Sequence, residues 1–150
     1  MKDLINNRVD EYYWNQNLNC AVTTIKILSE LYPIEINSQI MDASIGMNGA
    51  GRFGSQCGLV EGALMFIGIY GIHKGIQKEK IIDLCNNFSK GFQQNFGSLL
   101  CRELRPQGFS SSNPPHLCED ITKRAVSYSA EFIAKSVNRS DSRGRVLLSL

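Results

Sequence analysis

Apolar residues along this chain recur at intervals of three and four, and no segment sustains the alternation of a half-buried strand. Leu4, Ile5, Val9 and Tyr12 or Tyr13 share one face of a first short helix, expected from about Leu4 to Tyr13. Asn17 or Asn19 is placed to cap a second helix, whose stripe holds Cys20, Thr24, Ile27, Leu28 and Leu31, and Pro33 stops it. A third helix is expected from Ser38 to about Gly46. The segment from Gln56 to Tyr70, with Ser55 as its expected cap, is apolar nearly all round, the pattern of a helix at the centre of a bundle. Its small residues Gly58, Gly62, Ala63 and Gly68 would let neighbouring backbones come close, at some cost in helix propensity.

Gly71 and Gly75 bracket an expected turn, after which Ile81, Ile82, Leu84, Cys85, Phe88 and Phe92 give the inward side of a helix from about Lys78 to Phe96. Leu99 to Leu104 reads as a short helical piece, and Pro106 to Pro115, rich in glycine, serine and proline, as a loop. Asn113 reads as the cap and Pro114 as the first turn of a last helix, from Pro115 to about Val137. The expectation is an all-α protein, a single-domain helical bundle of about five to six helices around a central apolar helix. The domain covers residues 1–137, and residues 138–150 form a polar tail, mobile or docked on a partner.

Composition narrows the partners. With 150 residues, 43% hydrophobic and a net charge of +2, nothing points to DNA, RNA or an anionic membrane as the main partner. The longest apolar stretch, Leu59 to Ile72, carries Glu61 and several glycines and falls short of the ~20 apolar residues of a membrane helix. The polar, charged N-terminus lacks the apolar core of a signal peptide. The expected setting is therefore cytoplasmic, with no membrane span, where thiols stay reduced and cysteines more often react, sense or bind metal than staple.

Four of the five cysteines make that matter. Cys20, Cys57, Cys101 and Cys118 each fall at or near an expected helix start, with glycine, asparagine, serine or proline upstream. The free N–H groups and positive dipole end of a helix stabilise a thiolate there. Cys57 is expected in the first turn of the central helix, straight after the glycine-rich turn Gly46 to Gly54, and Cys118 about five residues into the last helix. Cys85 lies mid-helix on an apolar stripe and reads as core. The competing reading is that all of these thiols pack as small hydrophobes.

No Cys-x-x-Cys spacing exists, which removes thioredoxin-like, zinc-ribbon and ferredoxin-like patterns. Antiparallel helices can still bring distant cysteines to one layer, so a thiolate site for zinc or an iron–sulfur cluster stays open. His116 is a candidate ligand or base, although a histidine in a Pro-Pro-His turn reads first as solvated, and His73 reads as exposed. The glycine-rich turn lacks a Gly-Lys-Ser/Thr ending and a preceding strand, so nucleotide binding is not expected. Arg52 could stabilise a thiolate but reads as a surface charge. Glu61, one turn beyond Cys57, could shuttle a proton but reads as a narrow polar edge.

Asn19-Cys20-Ala21, the run from Gly49 to Ala63 containing Cys57-Gly58-Leu59-Val60-Glu61-Gly62, then Cys101 and Cys118 ahead of a helix, resemble the C-GCAxxG-C-C family of redox-active proteins. The resemblance spans about Asn17 to Ile133, with Leu59 standing where the family has alanine, and it matches Cys20, Cys57, Cys101 and Cys118 to the four family cysteines but not Cys85. It implies a redox role, without a general reaction or substrate, and genes for transporters or oxidoreductases as frequent neighbours.

Three functions follow as expectations. One is thiol/disulfide chemistry with an unidentified redox partner, catalysed by Cys57, its most acidic thiol, and resolved by Cys20, Cys101 or Cys118. Another is a zinc or iron–sulfur site built from the same four thiolates. The last is a bundle that assembles with itself or with a transporter-associated protein, its cysteines merely packed.

Overall fold

In a computed structural model, which describes residues 1–110 and 112–139, the chain is all-helical. Helix α1 (Lys2–Asp10) runs on through a wider turn at Glu11–Asn15, and Ile5, Val9, Tyr12 and Tyr13 are its buried side. Helix α2 (Cys20–Leu31) is capped by Asn19, whose Oδ1 accepts the Val22 N–H at 2.9 Å. The Asn19 Nδ2 also donates to the carbonyls of Ser44 and Ile45, tying the start of α2 to the end of α3 (Ser38–Ala43). That helix is shorter than the expected run to Gly46.

Helix α5 (Gly58–His73) is the central one. Leu59, Val60, Ala63, Phe66 and Ile67 are wholly or almost wholly buried, and α2, α6 and α8 pack around it. A Cβ at Gly62 would lie 2.6 Å from the Ala21 carbonyl oxygen, so α2 and α5 meet backbone to backbone. Helix α6 (Lys78–Phe96) has the expected bounds and ends on Gly97 in the left-handed conformation, at φ +92°.

Helix α8 (Glu119–Phe132), extended by a wide turn at Ile133–Val137, closes the bundle. Its Tyr128 and Phe132 join Phe88, Phe92 and Phe96 of α6 in one aromatic cluster. Two further helices, α4 (Gly49–Arg52) and α7 (Cys101–Leu104), are single turns, and α4 holds Ala50 and Gly51 in left-handed conformations.

Three further boundaries differ from the sequence reading. Ser55 does not cap α5, which starts at Gly58 with Cys57 at its cap position, because residues 55–57 are drawn into an extended pairing in which the Ser55 carbonyl accepts the Cys101 N–H at 2.7 Å. Asn113 does not cap α8; its Nδ2 donates to the Gly108 carbonyl within the loop, and α8 starts at Glu119. Gly71 belongs to α5, so the turn to α6 is made after Lys74 with Gly75 at φ +74°. The tail read from residue 138 lies, from 140 on, outside the described residues. Asn138 receives a hydrogen bond from Tyr70 at 3.2 Å. No helix among the described residues is long and apolar enough to cross a membrane.

Candidate functional site

Each of the four motif cysteines stands at a helix start. Cys20 and Cys101 are the first residues of α2 and α7, while Cys57 and Cys118 are the residues that precede α5 and α8. Cys118 is thus not inside its helix, as the sequence suggested. A kinked entry holds it at the start: His116 has φ +60°, its carbonyl takes the Glu119 N–H, and Cys118 offers its own carbonyl to Thr122.

A short extended pairing brings Cys57 and Cys101 together. The Cys57 N–H donates to the Leu99 carbonyl at 2.8 Å, Gln56 and Leu100 form an antiparallel bridge, and the Cys101 N–H returns to Ser55. Gly49 makes room beside it. With φ +72°, it occupies a conformation suited to glycine, and a Cβ there would lie 2.9 Å from Cys101 Cβ and 3.0 Å from its Sγ. Gly58 does the same for Cys20: a Cβ at this position would overlap Cys20 Sγ and the Met47 carbonyl oxygen.

The outcome is a cluster. Cys20 and Cys101 both lie near enough to the Cys57 thiol to shift its proton affinity. Cys118 sits by Arg105, whose charge favours the Cys118 thiolate. All four cysteines line one cavity of about 590 Å³. Cys57 and Cys101 are its buried members, at 5% and 7% exposure, and Cys20 and Cys118 are half-buried. Cys85 lies elsewhere, half-buried on α6 and packed against the core, as the sequence suggested.

The electrostatics depart from the sequence expectation. The contact with Cys101 favours the Cys57 thiolate, but the contact with Cys20, burial and the nearby Cys20 charge outweigh it, and Cys57 is pushed up to about 12. A backbone N–H from Leu59 does stabilise its charge, as the helix start predicts, yet too weakly to prevail. Cys101 is raised further, first by its contact with Cys57 and then by burial. Burial raises Cys118, and Arg105 opposes the rise. Cys57 is therefore held protonated at neutral pH rather than activated in isolation.

A pH dependence of stability follows. A thiol pKa raised in the fold keeps its proton where the unfolded chain has lost it, so stability is full below the unfolded value and falls as pH rises. The window for Cys57 runs from an ordinary ~8.5 to about 12. Thermal unfolding followed from pH 7 to 11 should show a steeper decline in Tm for the wild type than for Cys57→Ser; parallel declines would refute the assignment.

The cavity walls include residues that sequence reasoning placed otherwise or passed over. His116 is not free in solvent: its ring stacks on Tyr13 at 4.5 Å between centroids, its Nε2 meets Asn17 Oδ1 at 3.1 Å, and burial lowers its pKa. Tyr13 is almost fully buried, and its hydroxyl pairs with Thr122 Oγ1 at 2.7 Å. Arg52 lines the cavity and is exposed, as the surface reading has it. Arg105, overlooked in the sequence, is a cavity residue whose charge favours the thiolates of Cys101 and Cys118; its only sequence signal is its spacing four residues after Cys101. Glu61 is half-buried with its carboxyl pKa raised by burial, and it does not line the cavity. His73 is exposed.

Among the described residues, no three histidine, cysteine, aspartate or glutamate side chains are grouped so as to hold a metal ion. A family model described as "Putative redox-active protein (C_GCAxxG_C_C)" matches residues 18–132, from the residue before the α2 cap to the end of α8. No match was found among curated proteins or among solved structures.

Proposed function

We propose that this chain, which belongs to the C-GCAxxG-C-C family of redox-active proteins, performs thiol/disulfide exchange at the Cys20–Cys57–Cys101 cluster. One observation carries the reading: Cys20, Cys57 and Cys101 line one cavity, and Cys57 is near enough to both of the others for each to shift its proton affinity. Neighbouring thiols can close a disulfide, whereas cysteines held far apart cannot. Cys57 is the shared member, able to pair with Cys20 on one side and Cys101 on the other. The half-buried Cys20 and Cys118 face the cavity and meet an incoming reagent first. The buried Cys57 then acts as the resolving thiol, rather than as the acidic attacking group that its sequence position suggests.

The test is the count of free thiols before and after mild oxidation, read by alkylation and mass spectrometry. The wild type should pass reversibly from five free thiols to three. Cys57→Ser should form no intramolecular disulfide, and Cys85→Ser should behave as wild type. Full retention of free thiols in the wild type across a range of redox buffers would overturn the proposal, as would unchanged disulfide formation in Cys57→Ser.

A further inference from the structure

We infer that the four-cysteine cavity takes a small disulfide of amino-acid or short-peptide type, whose arms carry carboxylates and N–H donors, and reduces it. The inference rests on the dithiol reading above and adds the substrate class.

Charge gives the first argument. Arg52 and Arg105 line the cavity, and no aspartate or glutamate among the described residues does. The two guanidiniums therefore face the space without a compensating carboxylate. Arg105 is anchored, with its Nε donating to the Gly108 carbonyl at 3.0 Å and its guanidinium 5.0 Å above the Phe109 ring. The Arg52 side chain makes no hydrogen bond or ion pair among the described residues; its main-chain N–H donates to the Asn48 carbonyl at 3.0 Å. Guanidinium groups recognise carboxylates through paired N–H donors, and they do so more strongly where water is partly excluded.

Backbone conformation gives the second argument. Asn17, Ala50, Arg52, Gln107 and His116 are the non-glycine residues with positive φ among the described residues, and Asn17, Arg52 and His116 line this cavity. Left-handed backbone at non-glycine positions costs energy and collects where a site must be shaped. The remaining two lie in the turns that carry Arg52 and Phe109.

An unsatisfied acceptor gives the third. Asn48 Oδ1, in the cavity wall, is shielded from solvent and accepts no hydrogen bond among the described residues. A buried acceptor without a donor is costly, and a ligand N–H would relieve it. A carboxylate alone would not. The cavity, about 590 Å³, falls in the range of small-molecule sites.

The reaction balances within these groups. The Cys20 thiolate attacks one sulfur of the substrate disulfide, forming a mixed disulfide and releasing the first arm as a thiolate. Cys57 then passes its proton to the released thiolate and attacks Cys20 Sγ, closing the Cys20–Cys57 disulfide and releasing the second arm. Two electrons pass from the protein pair to the substrate, and the two protons given up by Cys20 and Cys57 end on the two released thiols.

Four disulfides test it, each reacted in single turnover with fully reduced full-length protein and normalised to its rate with a small free dithiol. Cystine carries carboxylates and ammonium groups, dithiodipropionate carboxylates alone, bis(hydroxyethyl) disulfide no charge, and cystamine only cations. Cystine should oxidise the protein about tenfold faster than the neutral reagent, with dithiodipropionate between them and cystamine slowest. Arg52→Gln should bring the cystine-to-neutral ratio down towards one. Equal normalised rates for all four reagents would overturn the inference while leaving the dithiol function standing. Dithiodipropionate as fast as cystine would remove the N–H requirement. Consumption of no protein thiol by any reagent would defeat the dithiol reading and this inference with it.

Discussion

Gly58→Ala is expected to destabilise the protein, while the same change ten residues on, at Gly68, is expected to stabilise it. Both glycines lie in α5, where alanine is intrinsically the better helix former by ~1 kcal/mol. At Gly68 a Cβ meets nothing within 4 Å, so the propensity gain stands. At Gly58 the added carbon would overlap Cys20 Sγ and the Met47 carbonyl, and neither the backbone nor a thiol held at a helix start can swing aside. Overpacking of this kind costs ~1–3 kcal/mol and can cost more. With the Met47 backbone involved, the net loss for Gly58→Ala should be on the order of 2 kcal/mol, or a Tm lower by roughly 4–8 °C for a chain of this size. Gly68→Ala should raise Tm by a few degrees. Thermal unfolding of both variants decides the matter, and equal shifts would show that the close approach of α5 to Cys20 is not limiting. Gly58→Ala should also slow closure of the Cys20–Cys57 disulfide, because the added carbon crowds the Cys20 sulfur.

Phe88→Ala should be the more destabilising change and should spare the thiol chemistry of whatever remains folded. Phe88 is fully buried on α6, with ring contacts to Phe92 at 6.0 Å, Tyr128 at 5.3 Å and Phe132 at 5.4 Å. Its backbone carbonyl accepts from the Tyr128 hydroxyl at 3.1 Å, so the cluster locks α6 to α8. Truncation removes the transfer energy of a large aromatic side chain and leaves a cavity that helices on three sides cannot fill, together ~3–5 kcal/mol. Denaturant unfolding should show a lowered midpoint by that amount with little change in slope. Below the transition, mild oxidation should still convert two thiols to one disulfide. A loss under about 1 kcal/mol would mean that the aromatic cluster collapses around the gap, and that the α6–α8 contact is not where the bundle is held.

These two variants mark the boundary between what the linear pattern contains and what it does not. The all-helical class, the α6 bounds at Lys78 and Phe96, the Asn19 cap and the central apolar helix were legible because each depends on residues a few positions apart. Apolar periodicity, capping oxygens and an all-round apolar segment are local signals of a local hydrogen-bond pattern. Cys85 as a core-packed thiol was legible for the same reason. The family motif was legible too, since its glycines and cysteines sit within one short run and three spaced positions.

The site was legible only as a list of residues. That Cys57 lies beside Cys101 follows from the extended pairing of the chain around Gln56 and Leu100, which has no alternating pattern to announce it. The capping error at Ser55 shares this origin, because the pairing with the chain before Cys101 keeps residues 55–57 extended, while Asn113 instead bonds Gly108 within its own loop. Helix-start position alone predicts acidic thiols, and for Cys57 it predicts the wrong direction: the dipole is a property of one helix, but burial and neighbouring thiols belong to the assembled bundle.

Arg105 and His116 became part of the cavity for a like reason, through a loop whose left-handed turns no periodicity encodes. The sequence by itself determined the helices, the central position of α5 and the identity of the thiols. Only the tertiary structure decided which thiols meet, which of them face the cavity and how strongly each holds its proton, because distance, burial and charge between remote residues exist only once the chain has folded.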